Sequence, residues 1–504
     1  MANPNILWIQ TDEQRPDSLG CYGSAWAKTP YLDRLARRGV VFQNCVCNSP
    51  VCVPSRATQL AGRYPLELGT LHNFVFEMDG VYPVGTRTFP EVLAQAGYAT
   101  ASIGKWHTPN HPTWQHNDSL VNLEEYSGYY ALNEEYDEQR FHVLKRPGGT
   151  PIILAGTYPV AHGHPSQVIT DRAIDWLRAL PAEQPFLLRV SHNWPHTPVL
   201  APPPFDALYD PDQLPIRYYD DAAYQGRAAR DRRVADNMRM RDLSREQVRQ
   251  VWKDYMGLVA CVDHEVGRLL SALQALDLER NTIILFSSDH GKSLGEWGAT
   301  EKGFFDSEVW RVPFILAGPG IERRGTVTDI CELVDTGRTL LHLAGLEAPA
   351  DYRGRDLLSD SAPEAVYAQI GNPDSQAPLF QRSMATRQPP GDIRGADARV
   401  WASLQAAGGA PRPRSQTMRA AIRTARYRMD VDWYREGARV PLTEADGNLF
   451  DLQADSGEVR NLWAAPEAQE IVRELWRRLE EWHAGLTPHP ELFANGASSQ
   501  RNSL

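Results

Sequence analysis

The chain predicts an α/β fold: a large, mostly parallel, doubly wound sheet flanked by helices, followed by a smaller C-terminal α+β domain. Three observations predict it. Short apolar runs alternate with amphipathic, helix-length segments up to about residue 360. Several runs, such as Ile6 to Ile9, are continuous rather than alternating, which suits parallel strands buried on both faces. Polar residues collect just after the strand ends, at Asp12, Lys105, His107, His196, Asp289 and His290. That edge of an open α/β sheet is where ligands bind.

The elements follow in order. Asn5 to Thr11 is the first strand and stops at Asp12-Glu13. Thr29 to Gly39 reads as a helix, with Thr29 to cap it, Pro30 in its first turn and Gly39 to end it. Val40 to Phe42 is the next strand. Phe89 to Ala96 is helical, and Tyr98 to Ile103 is a strand leading into Gly104-Lys105-Trp106-His107. Val168 to Leu180 is an amphipathic helix, and Pro185 to Val190 is a strand that runs on to His192 and His196. Arg245 to Leu276 is a long helix. Thr282 to Phe286 is a strand ending at Asp289-His290, and Val312 to Leu316 is another.

The texture changes past residue 360. Pro389 to Gly391 and Ala406 to Pro413 read as loops. Thr417 to Trp433 predicts strands around a turn, Asn448 to Leu452 a short strand, and Ala468 to Trp482 a closing helix. The expected division is an α/β domain over 1–360, an α+β subdomain over 361–486 and a polar tail over 487–504. Such a tail can reach a neighbour, so a homo-oligomer is an expectation.

Composition excludes several classes. The net charge of −11 argues against a nucleic-acid partner. No run of roughly 18 apolar residues predicts a membrane span. The first residues lack a basic segment and a long apolar core, so a cytoplasmic location is expected. Six cysteines in 504 residues do not make a disulfide framework, and five read as small buried hydrophobes.

Cys52 is the exception. It opens Cys52-Val53-Pro54-Ser55-Arg56, and Pro54 and Ser55 suit a first helical turn. The cysteine then sits at a helix N-terminus, where the backbone favours an anion, and Arg56 can reach back toward it. This suggests an activated nucleophile facing an anionic substrate. Asp12, Glu13 and Asp289, with His290 adjacent, crowd like charges that need a hard divalent cation. A soft thiolate does not match such a site, so the chemistry asks for an oxygen at position 52.

At these residues the sequence resembles the type I, formylglycine-dependent sulfatases of the alkaline phosphatase superfamily, near their branch with phosphonate monoester hydrolases. Cys52 to Arg56 with Gly62-Arg63 carries the signature. NILWIQTDEQRPDSLGCYG, GYATASIGKWH, NWPHTP, SSDHGKSLGEWG, EKGFFDSEVWRVPFI and NLFDLQADSGEVRNLW resemble further family blocks, in order, over roughly residues 4 to 485.

The resemblance implies an alkaline phosphatase-like fold and a hydrolase of sulfate monoesters. It implies that a formylglycine-generating enzyme oxidises Cys52 to Cα-formylglycine. The hydrated aldehyde attacks sulfur, a covalent sulfo-enzyme forms, and the second hydroxyl expels sulfate. It implies a metal held by Asp12, Glu13, position 52, Asp289 and His290, with Ca2+ first and Mn2+ or Mg2+ as alternatives. Lys105, Lys302 and Arg56 would hold the oxyanion, His196 and Lys302 would protonate the departing oxygen, and His107 would assist sulfate release. Asn73 stands where the phosphonate and choline-sulfate branches contact substrate. Glu13 departs from the family's usual Asp, and His290 from its usual Asn. Lys105-Trp106-His107 is the sulfatase form, so a small-molecule sulfate ester is the expected substrate. Phosphonate monoester or phosphodiester cleavage at the same site is the alternative.

The remaining histidines and tyrosines carry weaker readings. His264, on the long helix, is expected to be structural. His162 and His164 are expected in a solvated loop, and His192 either lines the site or packs. Tyr126, Tyr129 and Tyr130 either clamp a ligand or pack.

Overall fold

The computed structural model describes residues 3–73, 82, 85–108, 144–145, 153–158, 163–214, 221–371, 417–435 and 438–489. Its main sheet has seven strands: β1 (Asn5–Thr11), β2 (Val40–Val46), β3 (Ala99–Gly104), β4 (Phe186–Ser191), β5 (Thr282–Ser288), β6 (Phe314–Ala317) and β7 (Gly325–Glu332). Their spatial order is β7-β2-β6-β5-β1-β4-β3. Only β6 runs antiparallel to its neighbours; the other pairings are parallel. The mostly parallel sheet expected from the sequence is therefore present.

The continuous apolar runs exist because both faces are covered. On β1, Leu7 and Ile9 join a core under the helices Pro30–Arg38, Pro165–Ala179 and Arg245–Ala275. Ile6 and Trp8 join the opposite core, under Cys52–Ala61, Phe89–Gln95 and Thr336–Leu343. Strand β5 divides likewise, with Ile284 and Phe286 on one side and Ile283 and Leu285 on the other. This is the period-2 geometry of a strand read on both faces.

One strand of the main sheet escaped the sequence reading. β7 lies at the sheet edge and leaves Gly325, Thr326, Thr328 and Asp329 exposed, so no apolar run marks it. Pairing β2 along Thr326↔Val41 and Cys331↔Cys45 supplies the stability that its own residues lack.

The C-terminal unit is an antiparallel sheet of Val366–Gly371, Thr417–Arg423, Tyr427–Arg435, Ala438–Arg439 and Gly447–Asp451. The helix Gln469–Ala484 packs on it through Val472, Leu475, Trp476 and Leu479, at helical spacing. The sheet is not separate from the main domain. Val366, Ala368, Ile370 and Ala421 share a core with Phe305 and Trp310. Nor do Thr487 to His489 hang free as a tail: Thr487 N donates to Glu67 and His489 N donates to the Leu66 carbonyl.

Buried ion pairs tie the two units together. Arg428 meets Glu458 at 2.5 Å, Asp430 at 2.5 Å and Asp306 at 3.3 Å, and Arg227 also holds Asp306. Replacing Arg428 by Met leaves three buried carboxylates short of a counter-charge. The expected loss is about 3–5 kcal/mol, read as a lower denaturant midpoint.

Candidate active site

The site is assembled at the C-terminal edge of the sheet. Asp12 and Glu13 follow β1, Lys105 and His107 follow β3, His196 lies beyond β4, and Asp289 and His290 follow β5. Backbone bonds carry the strand pairing into these loops. His192 N donates to Gln10 O at 2.8 Å, Lys105 N to Ser191 O at 2.8 Å and Asp289 N to Thr11 O at 3.3 Å.

The helix Cys52–Ala61 delivers Cys52 as its first residue. Each residue of the motif has a structural reason there. Val53 N donates to Asn73 Oδ1 at 3.0 Å. Pro54 needs no hydrogen-bond partner for its nitrogen. Ser55 Oγ donates to the Asp289 carbonyl at 2.5 Å, joining the helix to the β5 loop. Gly62 ends the helix at φ 61°, and a Cβ on it would lie 2.3 Å from the Tyr352 ring.

Arg56 is fully buried beneath the cluster. Its Nε meets Asp289 Oδ2 at 2.7 Å, its Nη2 meets Asp12 Oδ2 at 2.8 Å, and its Nη1 donates to Ser191 Oγ at 2.9 Å. Arg56 therefore straps two carboxylates from inside, instead of reaching the open side where an oxyanion would sit. Asn73 is likewise engaged through its Oδ1, as a cap beside the nucleophile position.

Four groups converge. Ligand atoms of Asp12, Cys52, Asp289 and His290 all lie within 4.8 Å of one another and are buried. His290 Nδ1 donates to the Gly291 carbonyl at 2.8 Å, which leaves Nε2, 3.2 Å from Cys52 Sγ, as the nitrogen that a cation would take by displacing its proton. Gly291 permits this loop: a Cβ there would lie 2.0 Å from the Glu308 carbonyl. Burial lowers the His290 pKa, but the Asp289 and Cys52 charges override it and push it up to about 9. Burial, outweighing Arg56, pushes Asp289 up to about 6. A buried place with two carboxylates and an imidazole that can give up its Nε2 proton fits a divalent cation.

Glu13 is not in that group. Its Oε1 meets Lys302 Nζ at 2.6 Å, and its Oε2 meets Lys292 Nζ at 2.6 Å. It clusters with Asp12 and His196. The sequence expectation places Glu13 with Cys52, Asp289 and His290; here two lysines hold its carboxylate, and the candidate cation group it joins is the one with Asp12 and His196.

Cations surround position 52. Lys302 Nζ lies 3.1 Å from Cys52 Sγ and Lys105 Nζ 4.0 Å from it. Burial and the Asp12 charge raise the thiol pKa, yet Lys105, Lys302 and His290 win and hold it well below its usual value. His107 is pushed down to about 4 by burial, against a hydrogen bond with Cys52 that raises it. Lys105, Lys302 and His196 keep 12%, 15% and 22% of their side-chain surface exposed, while Cys52 and Asp12 keep none. The site therefore opens on the side of these two lysines and His196, which is where an anionic ester would enter.

The other sequence readings resolve in part. His192 is fully buried, and burial pushes its pKa down to about 3. His164 is not in a solvated loop: it caps the helix Pro165–Ala179, accepting from Gln167 N, and stacks on Trp194. His264 is exposed against Tyr31 and Phe205. Cys45, Cys47, Cys261 and Cys331 are buried, Cys21 is half-buried, and none is paired. His162, Tyr126, Tyr129 and Tyr130 lie outside the described residues. The residue that sequence reasoning missed is Lys292. It stands two positions past His290 in SSDHGK, and the strand-end rule could have found it.

An α/β sheet with a buried nucleophile position, carboxylates and lysines at its C-terminal edge defines a hydrolase of anionic esters. Comparison with known proteins narrows the class. The sulfatase family model matches residues 4–346. The N-acetylglucosamine-6-O-sulfatase of Bacteroides thetaiotaomicron is 25% identical, over 95% of this chain and 86% of its own length. The arylsulfatase of Clostridium perfringens is 30% identical, over 70% of this chain and 77% of its own. The phosphonate monoester hydrolase of Agrobacterium radiobacter superposes with a TM-score of 0.70 at 20% identity, over 95% of both chains. The chain belongs to the sulfatase family. It is a sulfuric ester hydrolase.

Proposed function

We propose that the protein cleaves sulfate monoesters of small molecules at position 52, after maturation of Cys52 to Cα-formylglycine. The observation that carries this reading is the convergence of Asp12, Asp289 and His290 on a buried Cys52 flanked by Lys105 and Lys302. Asp12, Asp289 and His290 would hold one divalent cation, for which we favour Ca2+. Once formed, the formylglycine would supply, as its hydrate, an oxygen nucleophile, and the cation would lower that oxygen's proton affinity.

The chain's own residues do the rest. Arg56 keeps Asp12 and Asp289 in register without facing the substrate. Lys105 and Lys302 bind the sulfate oxygens on the open side. His196, with its Nε2 2.9 Å from Lys302 Nζ, forms with that lysine the group that protonates the departing oxygen. His107 is held neutral by burial and can accept a proton at position 52 during sulfate release. Relatives named for sugar-linked sulfates, the N-acetylglucosamine-6-O-sulfatase and the ulvan-active sulfatase of Formosa agariphila, favour a sulfated saccharide as substrate.

Lys105→Ala is expected to lower kcat on 4-nitrophenyl sulfate by about 10²-fold, the usual cost of one oxyanion donor. Exhaustive chelation is expected to abolish turnover and lower Tm, with both restored by a divalent cation. Phosphonate monoester cleavage is the second reading, favoured by the overlap with the phosphonate hydrolase fold. Matched aryl sulfate and aryl phosphonate esters decide between them. A higher kcat/KM on the phosphonate would overturn the sulfate assignment.

A further inference from the structure

Glu13 has an unusual setting. It is fully buried and holds a left-handed backbone at φ 61°, a conformation that strains a non-glycine residue. Neighbours fix that conformation. Glu13 N donates to Asp289 Oδ1 at 3.3 Å, and Tyr255 Oη donates to the Glu13 carbonyl at 2.8 Å. Both carboxylate oxygens are then claimed by lysines.

Lys292 anchors one of them. It is 2% exposed, meets Glu13 Oε2 at 2.6 Å and Thr197 Oγ1 at 2.5 Å, and lies 3.2 Å from Glu301. Thr197 Oγ1 donates in turn to Glu301 at 2.7 Å. The other oxygen of Glu13 meets Lys302. Lys302 Nζ reaches three acceptors: Glu13 Oε1 at 2.6 Å, His196 Nε2 at 2.9 Å and Cys52 Sγ at 3.1 Å. His196 Nε2 is itself 3.3 Å from Glu13 Oε1, while its Nδ1 donates to the Thr197 carbonyl. Thr197 thus touches both the anchor and the histidine. A fixed carboxylate between Lys292 and Lys302 is well suited to holding the second lysine against His196, because an ammonium on a flexible four-carbon stem keeps its place through fixed acceptors around its donors.

We propose that Glu13, locked by Lys292, is a positioning residue for the Lys302–His196 pair on the leaving-group side, and not a ligand of the divalent cation. This rests on the reading of the site as a sulfatase centre. Glu13 and Lys292 touch neither the substrate sulfur nor position 52; they act through Lys302 and His196.

The test separates cation binding from leaving-group assistance. Removing either charge alone strands the other in the interior, so the main variant is the neutral pair E13Q/K292M, with K292R as the conservative control. Two readouts are taken on matured enzyme. One is the stoichiometry and affinity for Ca2+, by elemental analysis and calorimetric titration. The other is kcat/KM across sulfate esters from 4-nitrophenyl to simple alkyl leaving groups.

The neutral pair is expected to bind one Ca2+ per chain within about twofold of the parent affinity. Its activity is expected to fall at least about tenfold more on alkyl than on aryl sulfates, since poor leaving groups depend on the proton donor. K292R is expected to recover part of the alkyl activity. A tenfold or greater loss of Ca2+ affinity would overturn the proposal, as would equal losses on both ester classes. Failure of the sulfatase reading looks different: the parent enzyme itself would then hydrolyse neither class.

Discussion

Cys52→Ala enzyme is expected to hydrolyse 4-nitrophenyl sulfate at least about 10⁴-fold more slowly than the parent, with kcat carrying the loss. The substitution removes the atom on which Asp12, His290, Lys302 and Lys105 converge, while those four stay in place. Substrate binding by the lysines should survive, so a sulfate ester should still protect the variant against thermal unfolding. The fold should survive too. Cys52 is fully buried, but deleting one sulfur resembles a small core truncation and costs about 1 kcal/mol. Steady-state kinetics beside a ligand-dependent Tm series checks both halves.

Arg56→Met is expected to do more damage to the fold. Arg56 is the shared counter-charge of Asp12 at 2.8 Å and Asp289 at 2.7 Å, and all three side chains are fully buried. Removing it leaves two carboxylates facing each other without their cation, at an expected cost of about 3–5 kcal/mol. Lys105 also bonds Asp12, at 2.7 Å, but it approaches from the open side and does not reach Asp289 in the same way. Arg56→Lys is the informative partner. A single ammonium cannot span both carboxylates as the planar guanidinium does, so it should recover stability more than rate. The expected residual kcat is lower by about 10²-fold, because misplacing Asp12 and Asp289 misplaces everything they hold. Calorimetric unfolding and kcat measured on the same preparations separate the two effects.

The sheet and most of the site were legible for a physical reason. Strands buried on both faces must be apolar throughout, so Ile6 to Ile9 and Ile283 to Phe286 announce themselves. Loops at their C-terminal ends must carry the chemistry, so Asp12, Lys105, Asp289 and His290 stand out by position alone. Cys52 was legible because Pro54, Ser55 and Arg56 each do a local job at a helix start.

What stayed hidden depends on distant partners. β7 borrows its stability from β2, and its exposed Thr and Asp residues read as loop. His164 is buried because Trp194 stacks on it, a contact made across the fold. The direction of Glu13 is set by Lys292 and Lys302, nearly three hundred residues away. Its identity as an acid beside Asp12 suggested a ligand, and only the position of the lysines shows where the carboxylate points. Arg56 likewise reads as a substrate contact until its partners beneath the cluster are seen.

The central claim is that position 52 works as an aldehyde-derived oxygen group in a cation-binding site. The most direct measurement is peptide mass spectrometry over Cys52 on preparations of graded maturation, each assayed for turnover. The account predicts that specific activity rises in proportion to the fraction carrying the aldehyde mass and vanishes where the thiol is intact. Full activity in protein whose Cys52 is entirely thiol would contradict it.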